Sequence, residues 1–150
     1  MAGTSEVLQT MQRVKGLRYP VLSPSEIPYT DEIAVFTAAT DAFSKANTNC
    51  TVAESLERLE VITKRATKEA LRMRGYDSTD ASSFSYVSVV IDCPYSGKVD
   101  PVKVKHVSHA LLDMGWYEVS LSDTIGTDDP TTIAKLLRTV LGGGIPAVRV

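Results

Sequence analysis

The sequence predicts an α/β fold built on a parallel sheet. Three observations point there. β-rich and helical segments alternate through the second half of the chain. Their strands start roughly 30 residues apart, the size of one βα unit. Two helices open on the same pair, Asp100-Pro101 and Asp129-Pro130, an N-cap carboxylate followed by a proline whose missing N–H costs nothing in the first turn. Repeated βα units place parallel strands beneath covering helices.

In chain order, a first helix is expected over about Ser5 to Val14, then a strand at Tyr19-Pro20-Val21-Leu22 and a short apolar strand from Glu32 to Phe36. Thr51 and Glu54 form a capping box for a long helix ending near Ala70, with Leu56, Leu59 and Ile62 on one face. Tyr86 to Ile91 is β-rich. After Asp100-Pro101, the residues Val104, Val107, Leu111 and Met114 fall at helical spacing, and Gly115 is the stop. Trp116 to Leu121 is the next strand, where an aromatic packs readily. After Asp129-Pro130, an apolar stripe runs through Ile133, Leu136, Leu137, Val140 and Leu141. Gly142 to Gly144 read as a helix-to-strand turn, and Pro146 to Val150 as the start of another strand.

Composition excludes several classes. With 150 residues, 43% hydrophobic and 23% charged, the chain has ordinary globular character and suits one domain. A net charge of −2 with scattered lysines and arginines argues against a nucleic-acid partner. No run reaches the ~18 apolar residues of a membrane span, and no secretory or Arg-rich leader is visible. Cys50 and Cys93 make no disulfide framework and read as reduced thiols. His106 and His109 sit three apart on one helix, with Asp113 beyond. That face lies opposite the apolar stripe and is expected to meet water rather than a metal. The G-x-G-x-x-G loop of dinucleotide folds is absent. Periodicity alone leaves an open doubly wound sheet and a closed barrel as alternatives.

Three strings carry more. Tyr117-Glu118-Val119-Ser120-Leu121-Ser122-Asp123-Thr124-Ile125-Gly126 reads as a strand delivering Asp123 and Thr124 to its carboxyl end, where α/β folds place their chemistry. The others are Cys93-Pro94-Tyr95-Ser96-Gly97-Lys98, and Phe36-Thr37-Ala38-Ala39 followed by Lys45-Ala46-Asn47-Thr48-Asn49-Cys50. In this order they resemble the 3-hydroxy-3-methylglutaryl-CoA lyase family, from about Thr4 to Val150. The resemblance implies part of a (β/α)8 TIM barrel with parallel strands. It also implies a divalent-metal lyase that cleaves 3-hydroxy-3-methylglutaryl-CoA to acetyl-CoA and acetoacetate, in leucine breakdown and ketone-body formation, commonly in mitochondria.

Against the family pattern, the chain reads as a truncated central segment, an irregular gene product. Ser25 to Thr30 is too short for the helix of a βαβ crossover. Asp77 to Tyr86 separates Arg74-Gly75-Tyr76 from Val87-Ser88-Val89-Val90 and reads as a polar, turn-forming insertion that interrupts a strand. The family's Mg2+ or Mn2+ ligands have no counterpart here: an aspartate after the first strand, a His-x-His pair and a later asparagine. Its catalytic arginine and cysteine loop are likewise missing, since Cys93-Pro94-Tyr95 matches an earlier, non-catalytic string. The isolated chain is therefore expected to be inactive.

The resemblance leaves substrate-side positions. Asp123 is the catalytic candidate, accepting a hydrogen bond from a metal-bound hydroxyl or orienting a ligand, and Thr124 lies beside it near the acyl group. Asp123 also suits an Asx-type turn. Asn47 matches a contact to the CoA arm, though asparagine is a common turn former. Arg74 matches a charge that orients site carboxylates, or else is a solvated surface group. Ser120 is a strand-end hydrogen-bonder. The implied partner is an acyl-CoA. A homo-oligomer or a full-length lyase subunit is a further partner, and the alternative role is a non-catalytic one, docking on a full-length lyase through open strand edges or binding CoA alone.

Overall fold

The computed structural model describes residues 4–12, 14, 20–21, 32–74 and 83–150. Four parallel strands form one sheet in the order β1 (Pro20–Val21), β2 (Glu32–Ala38), β3 (Ser83–Ser88) and β6 (Glu118–Ser122). Among the described residues, five α-helices accompany them: α1 (Thr4–Thr10), α2 (Asp41–Thr48), α3 (Val52–Arg74), α4 (Pro101–Asp113) and α5 (Pro130–Leu141). A two-stranded antiparallel hairpin, β4 (Asp92–Cys93) with β5 (Gly97–Lys98), stands after β3.

The helix starts follow from local chemistry. The Asp100 carboxylate accepts the Val102 N–H at 2.9 Å, and Asp129 accepts the N–H groups of Thr131 and Thr132 at 2.7 and 3.0 Å. Before α3, Thr51 N–H donates to Glu54 Oε2 at 2.7 Å while Glu54 N–H donates to Thr51 Oγ1 at 3.2 Å, a reciprocal capping box. Those donors hold Asp129 and Glu54 below the usual carboxylate range, chiefly through backbone N–H groups.

Register explains the core. Val35, Ser85 and Val119 are aligned across β2, β3 and β6, as are Thr37, Val87 and Leu121. Aligned residues share a face, and this face meets Leu59 of α3, Val104, Val107 and Leu111 of α4, and Leu136 and Val140 of α5 in one cluster. Buried Ser85 is satisfied by donating to the Glu118 carbonyl at 3.0 Å, and Thr37 and Ser55 pair their hydroxyls at 3.3 Å between sheet and helix. The opposite face presents Phe36, Tyr86 and Ser120 in register; Phe36 and Tyr86 each remain 41% exposed.

Several sequence expectations change. Lys45–Thr48, where Asn47 suggested a turn, is the last turn of α2, which Thr40 starts by accepting the Phe43 N–H and Asn49 ends at φ 54°. The strand expected at Tyr86–Ile91 runs instead over Ser83–Ser88. Ser83 to Tyr86, expected as part of a polar interruption, are thus strand residues; Asp77 to Ser82 lie outside the described residues, as do Ser25 to Thr30. The next strand begins at Glu118 rather than Trp116, which is buried in the core just before it. Pro146–Val150 is not a strand: Ala147–Arg149 form a single 3-10 turn, with the Arg149 guanidinium donating to the Trp116 and Tyr117 carbonyls at 2.6 and 2.7 Å. His109 does not simply face water. Its Nε2 lies 3.0 Å from the Gly143 carbonyl oxygen, so that nitrogen carries the proton.

Candidate functional site at the carboxyl ends of the strands

Parallel strands deliver their carboxyl ends to one edge of the sheet, where the chain must leave the ladder and side chains become free for chemistry. Here β2 exits through Ala39 and Thr40, β3 through Val89 to Asp92, and β6 through Asp123 and Thr124. The exits are fastened together. Ala39 N–H donates to the Ser88 carbonyl at 3.0 Å and Val90 N–H to the Ser122 carbonyl at 3.4 Å. A small apolar cluster of Ala38, Val89 and Cys93, packed by Ala42, Phe43 and Val99, closes the space between β2, α2 and the hairpin.

Val89 turns the chain with φ 54°. A β-branched residue in the left-handed region costs roughly 1–3 kcal/mol, and Val89 is held there while fully buried. Its N–H donates to Thr124 Oγ1 at 2.8 Å, and the same hydroxyl donates to the Ser122 carbonyl at 3.4 Å. Thr124 therefore spends its hydroxyl on the β3 exit.

Asp123 organises its own loop. Oδ1 accepts the Gly126 N–H at 3.1 Å and Oδ2 the Asp128 N–H at 3.2 Å. Each carboxylate oxygen keeps one further acceptor site, so Asp123 is able to take hydrogen bonds from a ligand while holding the loop. Ser120, half-buried, lies on the open face in register with Tyr86. Asn47, exposed on the last turn of α2, lines a shallow, open recess with Phe36, Thr37, Ala38, Phe43, Ser44, Thr48 and Ser55. Two strand spacings, about 10 Å, separate β2 beneath that recess from β6. Arg74 is not brought to this edge. It ends the 23-residue α3, about 34 Å of helix whose first residue is fastened near the β2 exit by the Asp41 carboxylate, which accepts the Val52 N–H at 2.8 Å.

The hairpin adds contacts that sequence reasoning missed. Lys98 Nζ and Thr127 Oγ1 both donate to Asp92 Oδ2, at 2.8 and 3.0 Å, and hold that carboxyl below its usual range, Lys98 first. Burial pushes the Cys93 thiol up, but hydrogen bonds from the Ser96 and Thr40 hydroxyls and from the Tyr95 and Ser96 N–H groups outweigh it and leave the thiol below its ordinary value. The Tyr95 ring lies 6.1 Å from the Phe43 ring at a 49° tilt, joining the hairpin to the wall of the recess. The run of hydroxyl residues at strand exits (Thr40, Thr124, Thr127) was the available signal.

Among the described residues, no group of three or more His, Cys, Asp or Glu side chains is placed to hold a metal ion. Asp123 belongs to no such group, so the described residues do not complete a divalent-cation site, and no chemical step is derived through one. No helix among the described residues is long and apolar enough to cross a membrane.

Comparison with known proteins supplies the context. The HMGL-like family model matches residues 26–143. The chain is 40% identical to the mitochondrial hydroxymethylglutaryl-CoA lyase of Bos taurus, over 94% of this chain and 42% of the bovine protein. It is 38% identical to the cytoplasmic 3-hydroxy-3-methylglutaryl-CoA lyase of Homo sapiens, over 94% of this chain and 37% of that protein. The crystal structure of hydroxymethylglutaryl-CoA lyase from Pseudomonas aeruginosa superposes with a TM-score of 0.86 at 35% identity, covering 99% of this chain and 48% of that one. The chain thus spans less than half the length of each of these relatives. The four parallel strands and their helices are part of a TIM barrel, and the open face carrying Phe36, Tyr86 and Ser120 corresponds to the barrel interior.

Proposed function

Because the chain belongs to the HMGL-like family, we propose that it is the acyl-CoA-facing segment of a hydroxymethylglutaryl-CoA lyase. The whole reaction is a retro-Claisen cleavage. The 3-hydroxyl of 3-hydroxy-3-methylglutaryl-CoA loses its proton and the adjacent C–C bond breaks. Its electron pair goes to the acetyl-CoA enolate, which is then protonated, and acetoacetate leaves. In this reading Asp123 accepts a hydrogen bond from the substrate side, Ser120 lines the interior below it, and Asn47 contacts the CoA arm at the rim of the recess. A Mg2+ or Mn2+ ion, which would polarise the hydroxyl, belongs to ligands other than the described residues. The observation that supports the reading is the placement of Asp123 at the carboxyl end of β6, two strands away from the Asn47 recess beside the end of β2.

Calorimetric titration of coenzyme A into the purified chain tests it. The expected outcome is saturable binding that Asn47→Ala weakens several-fold; absence of binding overturns the recess assignment. With Mg2+ and substrate the chain is expected to release negligible acetoacetate, and robust turnover would contradict that. One observation favours a second reading, a non-catalytic partner docking on a full-length lyase: the exposed rings of Phe36 and Tyr86 on the open face. Size-exclusion chromatography with light scattering separates the two, since docking requires a complex with the full-length enzyme. The relatives carry both mitochondrial and cytoplasmic names, and either compartment suits this reading.

A further inference from the structure

We propose that Thr124 is a positioning residue, a latch whose hydroxyl holds Val89 in its left-handed conformation and so sets the path of the β4–β5 hairpin across the strand ends. The inference goes beyond the CoA reading and does not depend on it.

At Ser88 the chain is still in the ladder, aligned with Ser122. One residue later φ is 54°, and the Val89 N–H no longer has a strand carbonyl as its partner; the Thr124 hydroxyl takes that place at 2.8 Å. The hydroxyl's own proton points to the Ser122 carbonyl at 3.4 Å, and the same carbonyl accepts the Val90 N–H at 3.4 Å. Thr124 thus continues the β3–β6 ladder by one rung, with a side chain in place of backbone. The rung matters because Val89 resists its conformation: valine is among the residues least suited to positive φ. Without the acceptor, a buried N–H would be left unpaired at a strained residue, and both defects are relieved by letting Val89 return to an extended conformation. The hairpin follows directly, and Tyr95 on it packs against Phe43 at the recess wall.

The experiment is amide hydrogen exchange on the 150-residue chain, comparing wild type, Thr124→Ser, Thr124→Val, Val89→Gly and the Val89→Gly/Thr124→Val double variant. A latch predicts that Thr124→Val speeds exchange at Val89 and Val90 by about tenfold or more, the equivalent of one lost hydrogen bond, while Val87 and Leu121 keep their protection. Thr124→Ser, which retains the hydroxyl, is expected to stay within about threefold of wild type. Glycine adopts positive φ without strain, so in the Val89→Gly background the added Thr124→Val change is expected to alter exchange at Val90 by less than about threefold. Unchanged exchange at Val89 in Thr124→Val overturns the proposal. So does an equal effect of Thr124→Val on Val90 with valine or glycine at position 89. If Thr124→Val does not fold in the valine background, the latch requires the double variant to fold; failure of both overturns it.

Discussion

Alternate residues along the same three strands meet two different surroundings. Val35, Val87 and Val119 turn toward α3, α4 and α5 and are at most 4% exposed, whereas Phe36 and Tyr86 retain 41%. The backbone and the ladder are common to both sides, so the difference lies in what the side chains bury. The covered side supplies the stability, at about 1.5–3 kcal/mol for each large apolar side chain removed from water. The open side is thereby released from packing duty and carries Ser120 below Asp123. Strand periodicity alone accounts for that difference in burial.

The strongest way to break that comparison is to truncate one side chain on each side. Leu111→Ala, at a fully buried position, is expected to cost about 3 kcal/mol of unfolding free energy in urea titration, against less than about 1 kcal/mol for Tyr86→Ala. Comparable losses would mean that the open face is part of the core. Next in size is Thr40→Ala, expected to cost about 1 kcal/mol because it removes the α2 cap and a bond to Cys93 together. A smaller effect comes from acid. Glu54, Asp92 and Asp129 all titrate below the ordinary carboxylate range in the folded chain. Their contribution is intact above the unfolded values near about 4 and is lost as pH falls through the depressed folded values. Stability measured against pH should therefore fall on that limb, and Asp129→Asn should flatten it. The smallest change in stability, within about 0.5 kcal/mol, is expected for the Phe36→Ser/Tyr86→Ser pair. That variant should nevertheless bind less of a hydrophobic dye, which sharpens the assignment of the open face.

What was readable in the sequence is what local chemistry decides. Asp100-Pro101, Asp129-Pro130 and the Thr51–Glu54 box start their helices as expected, because a cap needs only its own first turn. Leu56, Leu59 and Ile62 were readable by spacing, and all three pack on the core. The misreadings occur where distant residues decide. Ser83-Phe84-Ser85-Tyr86 looks like loop because two serines dilute the apolar run, yet Ser85 is accommodated by a carbonyl on β6. Val89 looks like strand by propensity, yet it turns at φ 54° with its N–H bonded to Thr124, far along the chain. Arg149 ends an expected strand by reaching back to Trp116 and Tyr117. At the site, the family strings led to Asp123, Thr124 and Asn47. They could not show that Thr124 faces Val89, that Asn47 is helical, or that Arg74 lies at the far end of α3.

The two thiols lend themselves to use as built-in reporters. Cys50 and Cys93 are 4% and 3% exposed, each against a threonine hydroxyl, Thr48 at 3.1 Å and Thr40 at 3.2 Å. An alkylating reagent reaches neither sulfur until its shelter swings aside. Labelling at Cys93 thus times the parting of the hairpin from α2, and labelling at Cys50 times the parting of α2 from α3. A single mass-spectrometric time course would clock two separate breathing motions on either side of one short helix, with no foreign probe introduced.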